Sequence, residues 1–326
     1  MERETLTSQA ASLISIVVPV YNEQEVLPEF HQRLAAVLDT LAFASEIIYV
    51  NDGSADDTLA IIDTLYTEDE RVALVDLSRN FGKEIALTAG LHKARGDAVI
   101  VIDADLQDPP EVIPQLIEEW QNGYDVVYAK RSRREGESLL KKLTAFAFYR
   151  IMQRMGHVKL PADTGDFRLL SRRAVDALNT LTEQHRFMKG LFAWIGYKQK
   201  AVLYERDPRH AGQTKWNYWR LWNFAIEGIT SFTIAPLKFA TYTGLLTSLG
   251  AFAYGIYFLI RTLLYGNPVA GYPSLIVIIL FLGGLQIMFI GILGEYIGRI
   301  FTETKQRPLY FLNQYLPRRA DSDAQD

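Results

Sequence analysis

The sequence predicts an α/β fold in which a mainly parallel sheet is flanked by helices, followed by a two-helix transmembrane hairpin near the C-terminus. Within residues 13–129, short β-branched apolar runs alternate with segments of helical periodicity, an order typical of parallel sheets covered on both faces. Residues 239–260 and 273–294 contain no charged side chain. Each segment has 22 residues, which is enough to cross a hydrocarbon core about 30 Å thick.

Strands and helices are predicted from their apolar spacing, in chain order. The predicted strands are 13–20, 46–50, 71–77, 97–103 and 124–129. The predicted helices are 23–42, a helix marked by Leu59, Ile62 and Leu65, 84–93, and 111–121, which opens at Pro109 and Pro110. In sheets of this kind, ligands bind at the carboxyl ends of the strands.

Bulk composition restricts the class of protein. The chain has 326 residues, a formal net charge of −4, 49% hydrophobic and 22% charged residues, which allows one or two domains. It has no cysteine, so disulfides, thiolate metal sites and cysteine nucleophiles are excluded. The near-neutral charge favours no nucleic-acid partner. Residues 1–12 are polar, unlike a secretion signal, and we expect them to form a flexible N-terminus.

Charges that flank the two apolar segments predict the orientation of the hairpin. We place the transmembrane helices at 236–262 and 273–297, with a cytoplasmic C-terminal tail at 298–326. Between the two uncharged segments, residues 261–272 hold Arg261 as their one charged residue, whereas several Lys and Arg residues lie on both outer flanks. The positive-inside rule therefore predicts a multi-pass protein of the inner (plasma) membrane with both termini in the cytoplasm. The alternative, two buried helices of a soluble core, conflicts with their lack of a polar face.

Two amphipathic stretches, 138–155 and 216–232, combine apolar residues with cationic residues or tryptophans. We expect both to form helices that lie in the membrane interface, the second one next to the first transmembrane helix. Packing against the soluble domain is the alternative for both. Gly294 and Gly298 form a G-x-x-x-G pair, which leaves open a homo-oligomer packed through this helix.

Asp103, Asp105 and Gln107 follow the fourth predicted strand on alternate residues, which project to one side of an extended segment. Three oxygen ligands on one side fit a hard cation, Mg2+ or Mn2+, that keeps positions open for phosphate oxygens. An ordinary polar surface turn is the alternative. Polar residues also follow the other four strands, which favours a nucleotide crevice. The motifs of a dinucleotide dehydrogenase, G-x-G-x-x-G after the first strand, and of a P-loop, G-x-x-x-x-G-K-[ST], are absent from the sequence.

Several strings resemble the inverting family 2 glycosyltransferases, which have the GT-A fold: VVPVYNE (17–23), VNDGSADDT (50–58), LSRNFGKEIALTAG (77–90) and DADLQDPPE (103–111). DTGDFRLLSRR (163–173), RDPRHAGQTKW (206–216) and the hairpin narrow the resemblance to polyisoprenyl-phosphate glycosyltransferases, most of all the bacterial bactoprenol glucosyltransferases. The resemblance implies a cytoplasmic GT-A catalytic domain over residues 13–215. Many members have Asp-Asp where this chain has Asn51-Asp52, which weakens any role claimed for position 51.

The resemblance implies roles for the matching residues. Those implied to bind the nucleotide are Pro19, Tyr21, Glu23, Asp52, Lys83 and Asp103; those implied to bind the metal are Asp103, Asp105 and Gln107. Asp105 is the expected direct ligand, and Asp105 and Asp166 are implied to be catalytic. Asp166 matches the acid usually described as the base, but a lipid phosphate has a second pKa of about 6, so orientation of a sugar hydroxyl, the metal or a residual phosphate proton is the alternative. The residues expected to bracket phosphate groups are Arg131, Arg206, Arg209, Thr214 and Lys215.

The predicted function is that of a metal-dependent hexosyltransferase. It would transfer glucose, with inversion, from UDP-glucose to undecaprenyl phosphate, and the lipid-linked glucose would modify O-antigen or another envelope glycan. GDP-mannose or UDP-aminoarabinose as donor is the nearest alternative. A processive polysaccharide synthase would need more spans and a Q-x-x-R-W motif, which the sequence lacks. An alternative of another class is a nucleotide-sensing membrane anchor or a lipid transporter without catalysis.

Overall fold

The computed structural model describes residues 12–131, 164–204, 235–265 and 271–319. These residues form two compact units, which we describe separately. The sheet unit comprises residues 12–131, 164–204 and 307–319, and the hairpin unit comprises residues 235–265 and 271–306. The predicted interfacial stretches 138–155 and 216–232 lie outside the described residues, as do residues 1–11.

The sheet unit contains a sheet of eight described strands, in the spatial order β7-β5-β6-β4-β1-β2-β3-β8. The strands are β1 Leu13–Val20, β2 Ala44–Asn51, β3 Val72–Leu77, β4 Ala98–Val101, β5 Val126–Arg131, β6 Thr164–Ser171, β7 Gln199–Tyr204 and β8 Leu312–Leu316. The pairs β1–β2, β1–β4, β2–β3 and β5–β7 are parallel, whereas β4–β6, β5–β6 and β3–β8 are antiparallel. The predicted α/β fold with a mainly parallel sheet is therefore confirmed.

Six α-helices of the sheet unit are described. They are α1 Leu27–Leu38, α2 Thr58–Glu68, α3 Lys83–Lys93, α4 Ile113–Gln121, α5 Arg172–Asn179 and α6 Met188–Trp194, and a 3₁₀ turn, Pro110–Val112, leads into α4. Helix α1 is shorter than the predicted 23–42. Residues before it are held in a turn, because the carbonyl of Glu23 accepts the N–H groups of Val26 and Leu27.

The fourth strand also ends earlier than predicted. β4 stops at Val101, and residues 104–108 form bends rather than an extended segment, with Leu106 in the left-handed region at φ 58°. Burial alternates from Asp103 to Leu106, but Gln107 is only 6% exposed and breaks the alternation. The three predicted metal ligands therefore do not line one side of a strand.

The core of the sheet unit lies between the apolar faces of the central strands and the helices that cover them. Ile14, Ile16 and Val18 of β1 are fully buried, as are Phe30 and Leu34 of α1. Each such side chain contributes about 1.5–3 kcal/mol of burial free energy. On the opposite face, α3 approaches the sheet closely, since a Cβ at Gly90 would overlap Val17 and lie 3.0 Å from Val50.

The hairpin unit consists of α7 Ala235–Tyr265 and α8 Tyr272–Thr304. Both helices contain a stretch long and apolar enough to cross a membrane, Pro236–Tyr265 and Phe281–Thr304. Large apolar side chains cover their outer surfaces; Leu246 is 73% exposed and Leu263 is 78% exposed. These two helices agree with the predicted apolar hairpin at the C-terminal end.

The predicted tail, residues 298–326, has more structure than the sequence analysis indicated. Residues 298–304 continue α8, and Leu312–Leu316 form β8 at the edge of the sheet, antiparallel to β3. The strand LNQYL has neither a run of apolar residues nor a strict alternation. The pairing with β3, rather than a local pattern, makes this segment a strand.

Candidate active site

The centre of the candidate site is built where β4 ends and β6 begins. These strands are antiparallel, and their last matched pair is Val101 with Arg168. Two residues after Val101 and two residues before Arg168, the same register would set Asp103 opposite Asp166. Lys83, the first residue of α3, places its Nζ 2.6 Å from Asp103 Oδ2 and 2.6 Å from Asp166 Oδ2. Three residues that the sequence predicted for the site are therefore in direct contact.

Positive charge dominates the surroundings of Asp166. Burial alone would raise the pKa of its carboxyl, but the charges of Lys83 and Lys189 hold that pKa well below its usual range. Lys189 Nζ lies 4.0 Å from Asp166 Oδ1. Within the described residues this Oδ1 is buried and has no hydrogen-bond partner. Asp166 is thus an ionised carboxylate with one oxygen available to a donor.

Lys83 and Asp103 shift each other's pKa in opposite directions, each favouring the charged form of the other. Burial lowers the pKa of Lys83, but the charges of Asp103 and Asp166 outweigh it and raise that pKa above the usual lysine range. Burial raises the pKa of Asp103, and Lys83 opposes that shift. The positive charge of the Lys83 ammonium therefore offsets the negative charge of the two carboxylates.

Arg168 and Glu84 belong to the site although the sequence analysis missed both. Arg168 donates to the carbonyls of Asp166 at 3.2 Å and Gly165 at 2.8 Å, and its guanidinium lies 3.9 Å from the ring centroid of Phe192. Arg168 therefore fixes the backbone at Gly165 and Asp166. Its position two residues from Asp166, on the same face of β6, was the one available sequence signal.

Glu84 follows Lys83 and supports the next element of the site. Its Oε2 accepts the backbone N–H of Met188 at 3.0 Å, at the first residue of α6, which also carries Lys189. Burial, and then the negative charge of Asp166, raise the pKa of Glu84 to about 7. Glu84 therefore links the start of α3 to the start of α6. Lys189 has no sequence signal, because a tertiary contact brings it here, whereas Glu84 lies in the string 77–90 but was given no role.

The loops after β1 and β2 are joined by hydrogen bonds. The N–H of Asn22 donates to Ser54 Oγ at 3.0 Å, and Asn22 Oδ1 accepts the N–H of Ala55 at 2.8 Å. The N–H of Glu23 donates to Thr58 Oγ1 at 2.9 Å. Tyr21 is 45% exposed beside these contacts, so its ring is accessible to a ligand. The loops carry three of the predicted nucleotide residues, Tyr21, Glu23 and Asp52, and a fourth, Pro19, lies in β1 just before the first loop.

Asp52 holds the start of α3. Its two carboxylate oxygens accept the backbone N–H groups of Phe81 at 2.7 Å and Gly82 at 2.9 Å, and the residue is 3% exposed. Gly53, at φ 64°, allows this approach, because a Cβ there would lie 2.5 Å from the backbone of Arg79. Nucleotide binding by Asp52 stays a prediction, and such binding would use the lone pairs that remain.

The segment Asp103–Gln107 supplies only oxygen ligands, which suits Mg2+ or Mn2+. Asp105 is partly exposed, and its Oδ1 accepts the N–H of Gln107 at 3.1 Å. Among the described residues, no group of three His, Cys, Asp or Glu side chains is arranged to hold a metal ion. The donor types fit the ion. Metal binding by Asp103, Asp105 and Gln107 stays a prediction.

The predicted phosphate-binding residues fall mostly outside the described chain. Arg131 ends β5 opposite Tyr204, the last residue of β7. The hydroxyl of Tyr204 donates to the buried carboxylate of Asp108, and this bond joins the segment after Asp105 to the end of β7. Arg206, Arg209, Thr214 and Lys215 follow Tyr204 and lie outside the described residues.

Comparison with known proteins identifies the class to which this fold and site belong. Residues 15–178 match Glycosyl transferase family 2, and residues 235–300 match the GtrB C-terminal hairpin. The chain therefore belongs to glycosyl transferase family 2, and the predicted resemblance is confirmed. The first match covers most of the sheet unit, and the second match covers most of the hairpin unit.

Particular relatives resemble the chain over almost its whole length. An uncharacterized glycosyltransferase of Synechocystis sp. is 52% identical over 93% of this chain and 97% of its own length. A prophage bactoprenol glucosyl transferase homolog of Escherichia coli (strain K12) is 50% identical over 92% of this chain and 98% of its own length. The bactoprenol glucosyl transferase of Shigella phage SfV is 50% identical over 92% of this chain and 97% of its own length.

Proposed function

We propose that this protein transfers glucose from UDP-glucose to undecaprenyl phosphate at the cytoplasmic face of the plasma membrane. The observation that carries the proposal is the 50% identity to relatives named bactoprenol glucosyl transferase, which extends over 92% of the chain and includes the hairpin. Two apolar helices of sufficient length support a membrane location for the acceptor. The orientation, with both termini in the cytoplasm, rests on the flanking Lys and Arg residues.

In the proposed reaction, a phosphate oxygen of the lipid attacks the anomeric carbon of glucose from the side opposite UDP. The new carbon–oxygen bond forms as the bond to the UDP β-phosphate breaks, and UDP leaves with the electron pair. One displacement inverts the configuration, so an α-linked donor gives a β-linked product. The acceptor phosphate is largely ionised at neutral pH, and Asp166 therefore acts mainly by orienting a sugar hydroxyl or accepting a residual proton.

The described residues supply charge and position for this displacement. Asp105 and Asp103 would hold Mg2+ or Mn2+, which when bound neutralises charge that develops on the diphosphate. Lys83 holds Asp103 and Asp166 close together, with an oxygen of each 2.6 Å from its ammonium. Arg131, Arg206, Arg209, Thr214 and Lys215 would offset the repulsion between the donor diphosphate and the acceptor phosphate.

Transfer from radiolabelled donors to undecaprenyl phosphate tests the proposal. We expect the purified full-length chain to form lipid-linked sugar from UDP-glucose faster than from UDP-galactose, GDP-mannose or UDP-aminoarabinose. A clear preference for GDP-mannose or UDP-aminoarabinose would replace glucose in the proposal. Chelation of divalent ions should abolish transfer, and either Mg2+ or Mn2+ should restore it.

Substitution of the two acids separates an enzyme from a non-catalytic anchor or transporter. Asp105→Ala and Asp166→Asn should each reduce transfer by at least about a hundredfold, the scale on which loss of a preorganised charged group acts. Asp63→Asn, at an exposed position of α2, is the matched control and should transfer at the rate of the unaltered protein. Transfer that survives both substitutions would contradict the assigned chemistry.

A further inference from the structure

Asp76 of β3 is a buried carboxylate with amide donors from both neighbouring strands. It is 3% exposed. Asn51 Nδ2, at the end of β2, donates to Asp76 Oδ1 at 2.7 Å, and Asn313 Nδ2, on β8, donates to Asp76 Oδ2 at 2.7 Å. Each oxygen therefore has a donor, which is what keeps a buried carboxylate from being costly. The charge of Asp76 has no direct part in the proposed reaction.

The hydrogen bonds continue from Asp76 to the predicted nucleotide loops. Asn51 Oδ1 accepts the backbone N–H of Ser54 at 3.2 Å, and Ser54 Oγ accepts the N–H of Asn22 at 3.0 Å. An unbroken series thus runs from Asn313 through Asp76, Asn51 and Ser54 to Asn22. Its last members lie beside Tyr21, Glu23 and Asp52, the residues predicted to bind the nucleotide.

The series explains why position 51 is an amide in this chain. Asn51 must donate to Asp76 with one end of its side chain and accept from Ser54 with the other. An amide can do both, whereas an ionised carboxylate can only accept. Aspartate at position 51 would set two like charges against each other in a buried place, an arrangement that costs free energy.

The C-terminal segment that carries Asn313 is held on the sheet unit at several other points. Tyr310 shares a hydrogen bond of 3.1 Å with His92, Tyr66 donates to the carbonyl of Pro317 at 3.1 Å, and Arg318 donates to the carbonyl of Ser45 at 3.3 Å. Main-chain pairing with β3 adds to these contacts. Asn313 is therefore fixed in its position against Asp76.

We propose that Asn51 and Asn313 are positioning residues for donor binding, which act through Asp76 to hold the loops after β1 and β2. The C-terminal segment, encoded after the hairpin, then forms part of the support for the nucleotide pocket. This inference rests on the proposed function in one respect, that these loops bind the nucleoside diphosphate. It assigns a role to position 51 and to β8 that the family resemblance does not.

An exchange of the two side chains tests the proposal. Asn51→Asp alone should weaken UDP binding by about tenfold, a typical coupling between residues of one network. The double variant Asn51→Asp/Asp76→Asn keeps the net charge and allows every hydrogen bond of the series. The carboxylate then at position 51 can accept from Ser54 and from the new amide at position 76, whose oxygen can accept from Asn313. We expect the double variant to bind UDP within about threefold of the unaltered protein.

Kinetics separate positioning from plain structural support. The KM for UDP-glucose should rise in the Asn51→Asp variant and return in the double variant, while the KM for undecaprenyl phosphate stays within about twofold. A lowered Tm with unchanged UDP affinity and unchanged donor KM would overturn the proposal, and so would a double variant no better than the single one. If Asn51→Asp does not fold, Asn313→Ala at the exposed strand β8 takes its place, with a loss of UDP affinity expected and unchanged affinity contradicting the proposal.

UDP binding measured by calorimetry distinguishes failure of this inference from failure of the proposed function. An unaltered protein that binds UDP but transfers no glucose would contradict the proposed donor sugar, while the exchange experiment would still decide the role of Asn51. An unaltered protein that binds neither UDP nor GDP would overturn both proposals.

Discussion

Lys83 illustrates how one side chain can organise a site at the residue scale. The sequence analysis predicted a nucleotide contact, and that role stays a prediction. In the structure its ammonium lies between Asp103 and Asp166, 2.6 Å from an oxygen of each. Without a cation between them, two carboxylates this close would not both stay ionised. Because the side chain is 44% exposed, Lys83 can also reach a ligand that enters the site.

Removal of the Lys83 charge should therefore impair transfer through both acids. We expect Lys83→Met to lower kcat/KM by about a hundredfold. The pKa of Asp166 should rise when this positive charge is lost, so the acid limb of the pH–rate profile should move to higher pH. Lys198→Met, at an exposed position, is the control. A profile with unchanged limbs and rate would show that Lys83 does not govern the ionisation of Asp166.

Glu84 should make stability depend on pH near neutrality. Its pKa is about 7 in the folded protein against an ordinary value of 4.5. The folded state therefore holds this proton more tightly, and the resulting stabilisation is complete below about pH 4.5 and is lost as pH rises through about 7. Glu84→Gln removes the titration, so the Tm of the unaltered protein should fall relative to that of the variant between pH 5 and pH 8.

Thermal unfolding in detergent at several pH values measures this difference. Glu118→Gln, exposed on α4, controls for the loss of one carboxylate. Parallel Tm curves for the unaltered protein and Glu84→Gln across that range would contradict the prediction. The test requires no substrate, so it stands apart from the proposed reaction.

The sequence located the acids of the site better than their partners. Asp103, Asp166 and Lys83 lie in strings that resemble a family, and the structure brings these three into contact. Lys189, Arg168 and Glu84 were missed because their roles depend on how α6, β6 and α3 meet. Local spacing offered a signal for Arg168 alone, two residues from Asp166. The roles of Arg206, Arg209, Thr214 and Lys215 stay predictions.

At the scale of elements, the approach of α3 to the sheet depends on Gly90. A Cβ at this position would overlap Val17 Cγ1 and lie 3.0 Å from Val50 Cγ2. Alanine favours helices over glycine by about 1 kcal/mol, yet crowding in a packed core costs about 1–3 kcal/mol. We expect Gly90→Ala to destabilise the protein and to displace Lys83 at the start of the same helix.

Paired measurements of Tm and transfer rate check this expectation. Gly250→Ala in α7 is the matched control, because a Cβ there would meet no atom of the described residues within 4 Å. Gly250→Ala should leave the Tm unchanged or slightly raised, whereas Gly90→Ala should lower both Tm and rate. A raised Tm for Gly90→Ala would show that the contact with Val17 relaxes at little cost.

Strands with a clear apolar pattern were predicted from the sequence, and strands without one were not. β1, β2 and β3 are apolar runs, and their predicted bounds differ from the observed ones by no more than two residues. β6 and β8 contain polar side chains that serve the site or the edge of the sheet, among them Asp166, Arg168 and Asn313. Because these side chains interrupt the apolar pattern, the sequence analysis predicted no strand at either place.

At the scale of the whole molecule, the chain passes from the sheet unit to the hairpin unit and returns to the sheet unit at residue 307. Deletion of residues 307–326 should remove β8 and the donor to Asp76. We expect the Tm to fall by at least about 4 °C and UDP affinity to fall as in Asn51→Asp. Deletion of residues 320–326 alone is the control, since it removes none of the described contacts.

The two deletion variants, each purified in detergent, are compared by Tm and by UDP calorimetry. A 307–326 deletion with the Tm and UDP affinity of the control would show that β8 supports neither the sheet nor the pocket. A lowered Tm with unchanged UDP affinity would show that β8 stabilises the sheet but does not support the nucleotide pocket.

The place of β8 after the two long helices has a consequence for synthesis. The ribosome completes β3 early, but the strand that covers its edge emerges only after α7 and α8 have been made. At about 5–20 residues per second, β8 follows β3 by about 10–50 seconds, and until then the edge of β3 is uncovered and Asp76 lacks its donor Asn313. An uncovered edge strand readily pairs with other chains. A chain arrested before residue 312 would therefore be prone to aggregate.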